Sequence, residues 1–371
     1  MSAPPLQPIV IWFGRVGDMI LLSALLEILH HRYGAPCHVI GAGSFAAEIY
    51  AAHADVARVS CLHRYTALLF DRAWWRTLAV LRASREAPVY VCEYDPRKLK
   101  RVQRLLSASG IDPKRCVFIT RDAPQPVPAH QVDRLVSFAG VTPAAFRAAD
   151  YPWPSPAPRC APHLELSEAA RMQCAAWIEQ RGLGGRPLVL LQPGNRRTMR
   201  GRSLQLSAAD DKAWPIERWA QLLQQLHAHL PQAALVLCGA PRESLLLSWI
   251  VEAARLPAVT AAEIPLPLLL GLCAQAHSMI SVDTGPAHAA AALSLPLVVM
   301  FGAHAQQEWL PRSAGGSAVI GVGGPPHSNR LDQISMQSVL EAWCALPPRA
   351  DAAAASAARA FTATAARASA P

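Results

Sequence analysis

Short apolar runs alternate along the chain with longer stretches whose apolar residues recur every three to four positions. The short runs are bounded by glycine, proline or charged residues, which predicts buried β-strands. These predicted strands lie at 8–14, 37–41, 88–94, 116–120, 187–194, 233–241, 277–283 and 295–302. The longer stretches, such as 18–33 and 214–230, predict helices. Regular alternation of strand and helix is typical of α/β proteins with parallel, doubly wound sheets.

The segment DYPWPSPAPRCAP, residues 150–162, interrupts this alternation. Its five prolines cannot form a regular element, and proline-rich segments act as semi-rigid spacers. A length of 371 residues also favours two cores over one. We therefore predict two Rossmann-like domains that face a cleft, with an unstructured tail to which we assign no function. The predicted boundaries are 1–150 for the first domain, 151–163 for the linker, 164–348 for the second domain and 349–371 for the alanine-rich tail.

Composition narrows the class of partner. Lysine and arginine outnumber aspartate and glutamate by 35 to 26, a net charge of +9 that favours anionic partners such as sugar nucleotides, nucleic acids or acidic membranes. A solvated, arginine-rich surface explains the charge equally well. No basic stripe interleaved with aromatic residues is present, which argues against a nucleic-acid-binding protein.

The cysteines and the N-terminal residues bear on the cellular compartment. Nine cysteines are scattered without a C-x-x-C pair, and several lie in apolar runs. This pattern predicts reduced core thiols in a cytoplasmic protein and neither disulfides nor a zinc framework. The N-terminus lacks the basic and apolar regions of a signal peptide, and no apolar run reaches the length of a membrane span. We expect a soluble chain.

The stretch SVDTGPAHAAAAL, residues 281–293, joins a predicted strand to an alanine-rich helix. Pro286 suits the first helical position, so Thr284 or Gly285 is the expected cap. The free N–H groups and positive dipole end of a helix start form a site for anions, to which His288 adds a donor. Asp283 is placed to hold this loop or His288. An ordinary capped helix with a buried histidine accounts for the same residues.

Three further loops carry candidate chemistry. Gly194 forms a glycine turn after a strand, and Lys212 precedes a Trp-Pro helix start, where a lysine provides a point charge for phosphate. Gly17 shapes a turn before Asp18, which is either a plain N-terminal cap or a general base. Solvated surface residues would explain Lys212 as well.

Several motifs together resemble the ADP-heptose:lipopolysaccharide heptosyltransferases of glycosyltransferase family 9. The likeness covers about residues 8–345 and rests on five features in the family's order. These are Gly17-Asp18, Pro193-Gly194, Lys212-Ala213-Trp214-Pro215, a Gly-x-x-x-Glu ending at Glu243, and Asp283-Thr284-Gly285-x-x-His288 followed by an alanine-rich helix, a strand and Phe301-Gly302.

The resemblance implies a GT-B fold and inverting transfer of heptose from ADP-heptose to a lipopolysaccharide core. The first domain would bind the acceptor and the second the nucleotide sugar. Carried over by position, Asp18 is the expected catalytic base. Lys212, Thr284, Gly285 and His288 would bind the donor diphosphate, Asp283 would organise their loop, and Glu243 would contact the nucleoside. Gly17 and Gly194 would shape loops.

No D-x-D motif occurs in the chain, so we expect no metal and no other cofactor in the transfer. A lysine and a helix start would replace the ion at the diphosphate. Two segments depart from the family pattern, the long basic insertion 195–211 and AHAQQEWLP after Gly302. Both would border the donor, which leaves another nucleotide sugar or acceptor as an alternative.

Alternatives of another class follow from other residues. GAGSFA, residues 41–46, fits a dinucleotide-binding pattern, but it follows the second strand and lacks the acidic residue further on. A cleft that binds a phosphorylated ligand without turnover is the stronger alternative.

Two basic runs, Arg72 to Arg76 around Trp74 and Trp75, and RKLKRVQR at 97–104, suit a phosphorylated lipid acceptor at the inner leaflet. Helices with one buried aromatic and a solvated face more commonly explain such runs.

Overall fold

The structure, a computed structural model, describes residues 4–62, 72–195, 198–200, 203–204, 213–261 and 264–349. Lys212, most of the 195–211 insertion and the tail from residue 350 lie outside the described residues. Packing divides the chain into two compact units, Met1–Glu168 with Gln307–Trp309, and Ala169–Gln306 with Leu310–Pro371. Each unit contains its own parallel sheet.

The first unit is built on a five-stranded parallel sheet in the order β3-β2-β1-β4-β5. Its strands are β1 (Ile9–Ile11), β2 (Cys37–Ala42), β3 (Val56–Leu62), β4 (Val89–Val91) and β5 (Cys116–Phe118). Its helices are α1 (Val16–Tyr33), α2 (Phe45–Ile49), α3 (Arg72–Ala83), α4 (Pro96–Ser109), α5 (Ile119–Asp122) and α6 (Gln131–Ala139).

Helix α1 is the buried centre of this unit. Every residue from Met19 to Leu29 is buried, including the polar Ser23 and Glu27, because α2 and α6 pack on it in addition to the sheet. Arg32 near its end donates to the carbonyls of Tyr151 and Val141, which ties the start of the proline-rich segment to the helix.

The second unit contains a six-stranded parallel sheet in the order β10-β9-β6-β11-β12-β13. These strands are β6 (Leu188–Gln192), β9 (Ala234–Cys238), β10 (Val259–Ala261), β11 (Ser278–Val282), β12 (Leu297–Phe301) and β13 (Val319–Gly323). A small antiparallel pair, β7 (Met199–Arg200) and β8 (Ser203–Leu204), lies within the predicted insertion. Strands taken in chain order give 3-2-1-4-5-6, the order of dinucleotide-binding sheets.

Helices cover both faces of this second sheet, as the alternating sequence pattern predicted. They are α7 (Glu168–Gln180), α8 (Ile216–His229), α9 (Ser244–Ala254), α10 (Leu266–Gln275), α11 (Gly285–Ala292), α12 (Gln306–Trp309) and α13 (Met336–Cys344). Trp214 and Trp219 meet edge to face with ring centroids 5.0 Å apart and anchor the core under α8. No helix in the described part of the chain is long and apolar enough to cross a bilayer.

The sequence pattern missed the short pair β7 and β8 and, in the two parallel sheets, the strands β3, β10 and β13, each of which lies at an edge of its sheet. Most residues of these three edge strands are exposed or only partly buried, and β3 includes Arg58 and Ser60. An edge strand packs against one neighbour only, so it needs fewer apolar residues and gives a weaker pattern. The doubly wound α/β architecture is confirmed for both sheets.

Candidate functional site

Each sheet reverses its strand order at one point, between β1 and β4 in the first unit and between β6 and β11 in the second. Ligands of open α/β sheets bind at the carboxyl ends of the strands beside such a point. Gly17 and Asp18 follow β1, Gly194 follows β6, and Asp283 follows β11. The candidate residues of each unit therefore lie at its own reversal point.

In the second unit, three predicted loops follow neighbouring strands. Strands β9, β6 and β11 are paired in that order, with Leu191 opposite Leu237 and Gln192 opposite Ser281. Adjacent strands lie about 4.8 Å apart. Glu243, the Gly194 turn and the start of α11 are thus side by side along one edge of the sheet.

The turn after β6 closes tightly around Gly194. The Gln192 amide donates to the Gly194 carbonyl at 2.8 Å, and the Asn195 N–H donates to Thr198 Oγ1 at 2.8 Å. A Cβ on Gly194 would lie 2.7 Å from Oε1 of Glu243 and 3.3 Å from Thr198 Oγ1. Any side chain at this position would displace the turn or the carboxylate.

Glu243 lies at the end of a 3₁₀ turn after β9 and is 1% exposed. Its Oε2 accepts a hydrogen bond from the Ala240 N–H at 2.6 Å, while Oε1 has no hydrogen-bond partner among the described residues. Burial raises the pKa of this carboxyl, opposed by the Ala240 hydrogen bond and by Arg242. The structure therefore brings together Gly194 and Glu243, two residues that the sequence selected from separate motifs.

Helix α11 begins immediately after β11, with Thr284 as its N-cap residue. The Thr284 hydroxyl lies 3.2 Å from Ser281 Oγ, and within the described residues no side chain caps the helix. The Asp283 N–H donates to the Met300 carbonyl at 3.1 Å, which attaches the loop to β12. The helix start is held by its preceding strand and by the neighbouring one.

Of the other predicted residues in α11, one is half-buried at the helix start and one is buried. Gly285 is half-buried at the first position of the helix, and His288 is buried in its first turn with 6% of its surface exposed. The alanines at 289–292 are all buried, so the helix lies close against the sheet. An anion at this helix start would meet backbone N–H groups and the positive end of the helix dipole.

Lys212 lies outside the described residues, but the chain immediately after it is well anchored. Trp214 is buried, and its indole N–H donates to the Ile334 carbonyl at 3.0 Å. Pro215 then precedes α8 as its N-cap residue. The Lys-x-Trp-Pro motif thus fixes the point at which the lysine-bearing segment joins the core.

In the first unit, α1 begins at Val16, so Gly17 and the half-buried Asp18 both lie in its first turn. The prediction that Gly17 shapes a loop before the helix is therefore wrong. Asp18 Oδ2 accepts a hydrogen bond at 2.6 Å from the N–H of Arg15, which is the N-cap residue, so Asp18 caps the helix from its third position and is not the N-cap residue considered from the sequence. Gly14 approaches the same side chain closely, with a Cβ there 2.4 Å from the Asp18 Cβ. The carboxylate is thereby held at the carboxyl end of β1.

A buried carboxylate that the sequence analysis missed supports this turn from the other side of the reversal point. Glu93 follows β4, is 2% exposed, and accepts hydrogen bonds from the N–H groups of Phe13, Tyr94 and Asp95. Lys98 donates to the Phe13 carbonyl at 2.9 Å and lies 3.8 Å from Glu93 Oε1. A glutamate that directly follows the buried run VYVC was the signal available in the sequence.

Tyr94 lies close enough to Asp18 to feel its charge, and it also lines a cavity in the same unit. Burial raises the pKa of its phenol to about 12, and the nearby Asp18 charge acts in the same direction. The Gln131 amide donates to the Tyr94 hydroxyl at 3.0 Å. Tyr94 also lines a cavity of about 170 Å³ together with Arg121 and Arg134, which give it a basic wall.

Comparison with known proteins identifies the family of the chain. A family model described as glycosyltransferase family 9 (heptosyltransferase) matches residues 107–337. The curated lipopolysaccharide heptosyltransferase 3 of Escherichia coli is 32% identical over 105 residues, which are 28% of this chain and 31% of that protein. This alignment spans less than a third of the relative's length.

Solved structures resemble the chain over nearly its full length. A glycosyltransferase family 9 protein from Veillonella parvula has a TM-score of 0.69 at 15% identity, covering 92% of this chain and 97% of that one. E. coli ADP-heptose lipopolysaccharide heptosyltransferase II has a TM-score of 0.65 at 21% identity, covering 92% and 98%. An E. coli heptosyltransferase solved with ADP has a TM-score of 0.57 at 20% identity, covering 91% and 98%. These likenesses confirm the predicted GT-B class, an α/β chain with two Rossmann-like sheets.

Proposed function

The chain belongs to glycosyltransferase family 9, and from this we propose that it transfers heptose from ADP-heptose to a lipopolysaccharide core acceptor. The proposed transfer inverts the configuration at the anomeric carbon and needs no metal ion. The family match and the adjacency of Glu243, the Gly194 turn and the start of α11 at the reversal point of the second sheet support this proposal. That adjacency is the main structural observation in support of the proposed function.

We assign the donor to the second unit. The diphosphate would lie at the start of α11, contacting Thr284, Gly285 and His288, with Asp283 holding the loop and Lys212 supplying a cation. The nucleoside would lie toward Glu243, whose buried Oε1 would gain a hydroxyl donor when the Gly194 turn shifts. One solved relative, an E. coli heptosyltransferase, has one structure with ADP and another with ADP-2-deoxy-2-fluoro heptose, which supports an adenine nucleotide as the donor.

The proposed reaction is a single displacement. An acceptor hydroxyl attacks the anomeric carbon of heptose, the bond from that carbon to the β-phosphate oxygen breaks, and ADP leaves with both electrons. Negative charge therefore grows on the diphosphate as the bond breaks. Donors that are already aimed at this charge stabilise the transition state, typically by about 100- to 1000-fold for each donor.

Asp18 is the proposed base that takes the acceptor proton. It is half-buried at the carboxyl end of β1, and the Arg15 N–H, Gly14 and the Glu93–Lys98 pair together keep its turn in place. A carboxylate offers about four lone-pair sites, so the hydrogen bond from the Arg15 N–H does not by itself prevent Asp18 from taking a proton. Capping and catalysis are compatible in this arrangement.

The first unit also carries the features expected of a surface for an anionic glycolipid. On α3, Trp74 is buried while Trp75 is 49% exposed between Arg72 and Arg76. Helix α4 packs beside α3 and exposes a further set of basic side chains, Arg97, Lys100 and Arg104. We propose a cytoplasmic enzyme that associates with the inner leaflet through this surface, which is attracted to anionic lipid.

The function is tested with purified enzyme, a truncated lipopolysaccharide core, and ADP-heptose, UDP-sugars or GDP-sugars in separate reactions. We expect acceptor-dependent release of ADP and mass gain of one heptose on the acceptor. Release of UDP or GDP instead would show a different donor. Nucleotide binding without release from any donor would favour the non-catalytic alternative.

A further inference from the structure

A buried cluster of histidines and carboxylates lies in the first unit, apart from the loops assigned above. Glu27 is on α1, His53 and Asp55 are between α2 and β3, and His163 follows the proline-rich segment. None of the four is more than 6% exposed. Glu27 is two and a half helical turns beyond Asp18, about 13 Å along the axis of α1.

Asp55 is at the centre of this cluster. Its Oδ2 lies 3.7 Å from His53 Nδ1 and 3.3 Å from His163 Nε2, and one ligand atom from each of the three residues lies within 4.8 Å of the others. Its other oxygen, Oδ1, is 2.7 Å from His30 Nδ1. Zinc bonds of 2.0–2.2 Å in a tetrahedron place neighbouring ligand atoms about 3.3–3.5 Å apart, close to these separations.

The hydrogen bonds of His53 fix the position of its ring proton. Nε2 lies 3.3 Å from the His163 carbonyl, which can only accept, so Nε2 carries the proton. Nδ1 accepts from the Asp55 N–H at 3.3 Å and therefore carries a lone pair. A ring nitrogen has one lone pair, so a cation bound at Nδ1 would replace this long hydrogen bond, and the same cation could bind Asp55 Oδ2.

His163 lies between two carboxylates. Its Nδ1 is 4.0 Å from Glu27 Oε2, and within the described residues neither atom has a hydrogen-bond partner. A neutral imidazole has one proton, so it leaves a lone pair facing either Glu27 or Asp55. A cation at Asp55 removes this conflict because the single proton can then lie on Nδ1 and face Glu27.

We propose that His53 Nδ1, His163 Nε2 and Asp55 Oδ2 bind a Zn²⁺ ion, with water in the fourth position. Two nitrogens and one carboxylate oxygen are a donor set that zinc accepts. The His163 carbonyl, Glu27 and His30 would then orient the three ligands, as outer partners commonly do in zinc sites. The ion would fasten the end of the proline-rich segment to α1 and to the α2–β3 connection, beyond any role in sugar transfer.

A metal-free cluster with protonated histidines is the competing arrangement. It would place positive charge on two buried rings whose centroids are only 4.7 Å apart. Zinc instead leaves both rings neutral and compensates the charge of Asp55. The two arrangements differ in metal content, which can be measured directly.

The experiment uses the full-length protein, stripped with chelator, dialysed and titrated with zinc sulfate against a chromophoric competitor. We expect one zinc per chain with submicromolar affinity, at least 100-fold weaker binding in His163→Gln and His53→Gln, and about 10-fold weaker binding in His30→Gln. His229→Gln, at an exposed position in the last turn of α8, is the matched control and should bind zinc like the wild type.

Cobalt substitution of the wild type serves if a variant fails to fold. A tetrahedral Co²⁺ spectrum without thiolate charge transfer supports the site, because its proposed protein ligands are only histidine and aspartate. Zinc should also raise the thermal midpoint of the wild type by several degrees and leave that of His163→Gln unchanged. The proposal would be overturned if the wild type bound no zinc ion with submicromolar affinity. It would also be overturned if the wild type, His163→Gln and His53→Gln bound zinc equally well.

Discussion

A Cβ on Gly14 would lie 2.4 Å from the Cβ of Asp18 and 2.9 Å from its Oδ2. The two residues are four apart in sequence, across the turn that joins β1 to α1, and no side chain larger than hydrogen fits between them. The conformation of the proposed base therefore depends on the absence of a side chain at a neighbouring position.

Gly14→Ala should reduce turnover at least about 10-fold, because the added methyl displaces Asp18, and should destabilise the first unit by about 1–3 kcal/mol as an overpacked site. Steady-state ADP release and thermal unfolding measure the two effects. Gly184→Ala is the matched control, since a Cβ at Gly184 meets nothing within 4 Å. Full activity in Gly14→Ala would show that the position of Asp18 is unimportant.

Asp18→Asn should lower kcat by about 100- to 10,000-fold, the usual contribution of a general base. The amide oxygen can still accept from the Arg15 N–H, so the cap and the thermal midpoint should be little changed. ADP binding, measured by calorimetry, should be retained. Asp112→Asn, which alters another capping aspartate of the first unit, should leave kcat unchanged. A kcat for Asp18→Asn within twofold of wild type contradicts the assignment.

Gly194→Ala should weaken ADP binding by about 10-fold or more while leaving the first unit intact. The methyl would lie 2.7 Å from Glu243 Oε1 and would displace either the carboxylate or the turn. Calorimetric titration with ADP provides the measurement, and Gly184→Ala again serves as control. Unchanged ADP affinity would place the nucleotide away from this edge of the sheet.

Turnover should continue within about twofold when EDTA is added at the start of the reaction, and Mg²⁺ should not activate it. The physical reason is that α11, His288 and Lys212 are proposed to stabilise the diphosphate charge. ADP release is followed with and without each addition. His163→Gln is assayed in parallel, so that an effect of EDTA through the proposed zinc site is recognised. If EDTA lowered the rate of ADP release in both proteins and Mg²⁺ restored it, metal-independent transfer would be refuted.

Acidification should destabilise the first unit partly through His38. Burial, with a smaller effect of Arg58, lowers the pKa of this fully buried histidine to about 4 from 6.5. Between pH 6.5 and 4 the unfolded chain therefore takes up a proton that the folded chain does not, so stability falls as the pH falls, by about 3 kcal/mol at most.

Urea unfolding at several pH values between 4.5 and 7 measures this dependence. The wild type should lose stability more steeply than His38→Gln, whose amide can keep the hydrogen bond to Ser60 Oγ. His229→Gln, at an exposed position, should follow the wild type. Parallel curves for wild type and His38→Gln would show that His38 titrates normally in the fold.

Local pattern was sufficient for the central elements and for the start of α11. Strands β1, β6 and β11 are entirely buried, ten of their thirteen residues are apolar, and the runs are therefore visible in the sequence. Thr284, Gly285 and Pro286 mark a helix start through their own backbone preferences, and the structure begins α11 there. Edge strands β3, β10 and β13 were missed because one-sided packing tolerates polar residues.

The contacts within the candidate sites could not be predicted from the sequence. Glu93 meets Phe13 across 80 positions, and Asp55 meets His163 across more than a hundred. Such contacts depend on which strands become neighbours, and strand order has no period along the chain. The sequence alone thus determined the fold class, the alternation of elements and the position of the loops to which we assign chemistry, because these follow from each residue's local backbone and burial preferences. Only the tertiary structure decided that Gly14 makes room for Asp18, that Gly194 covers Glu243 and that three histidines surround one aspartate, because close packing joins side chains from segments far apart in the chain.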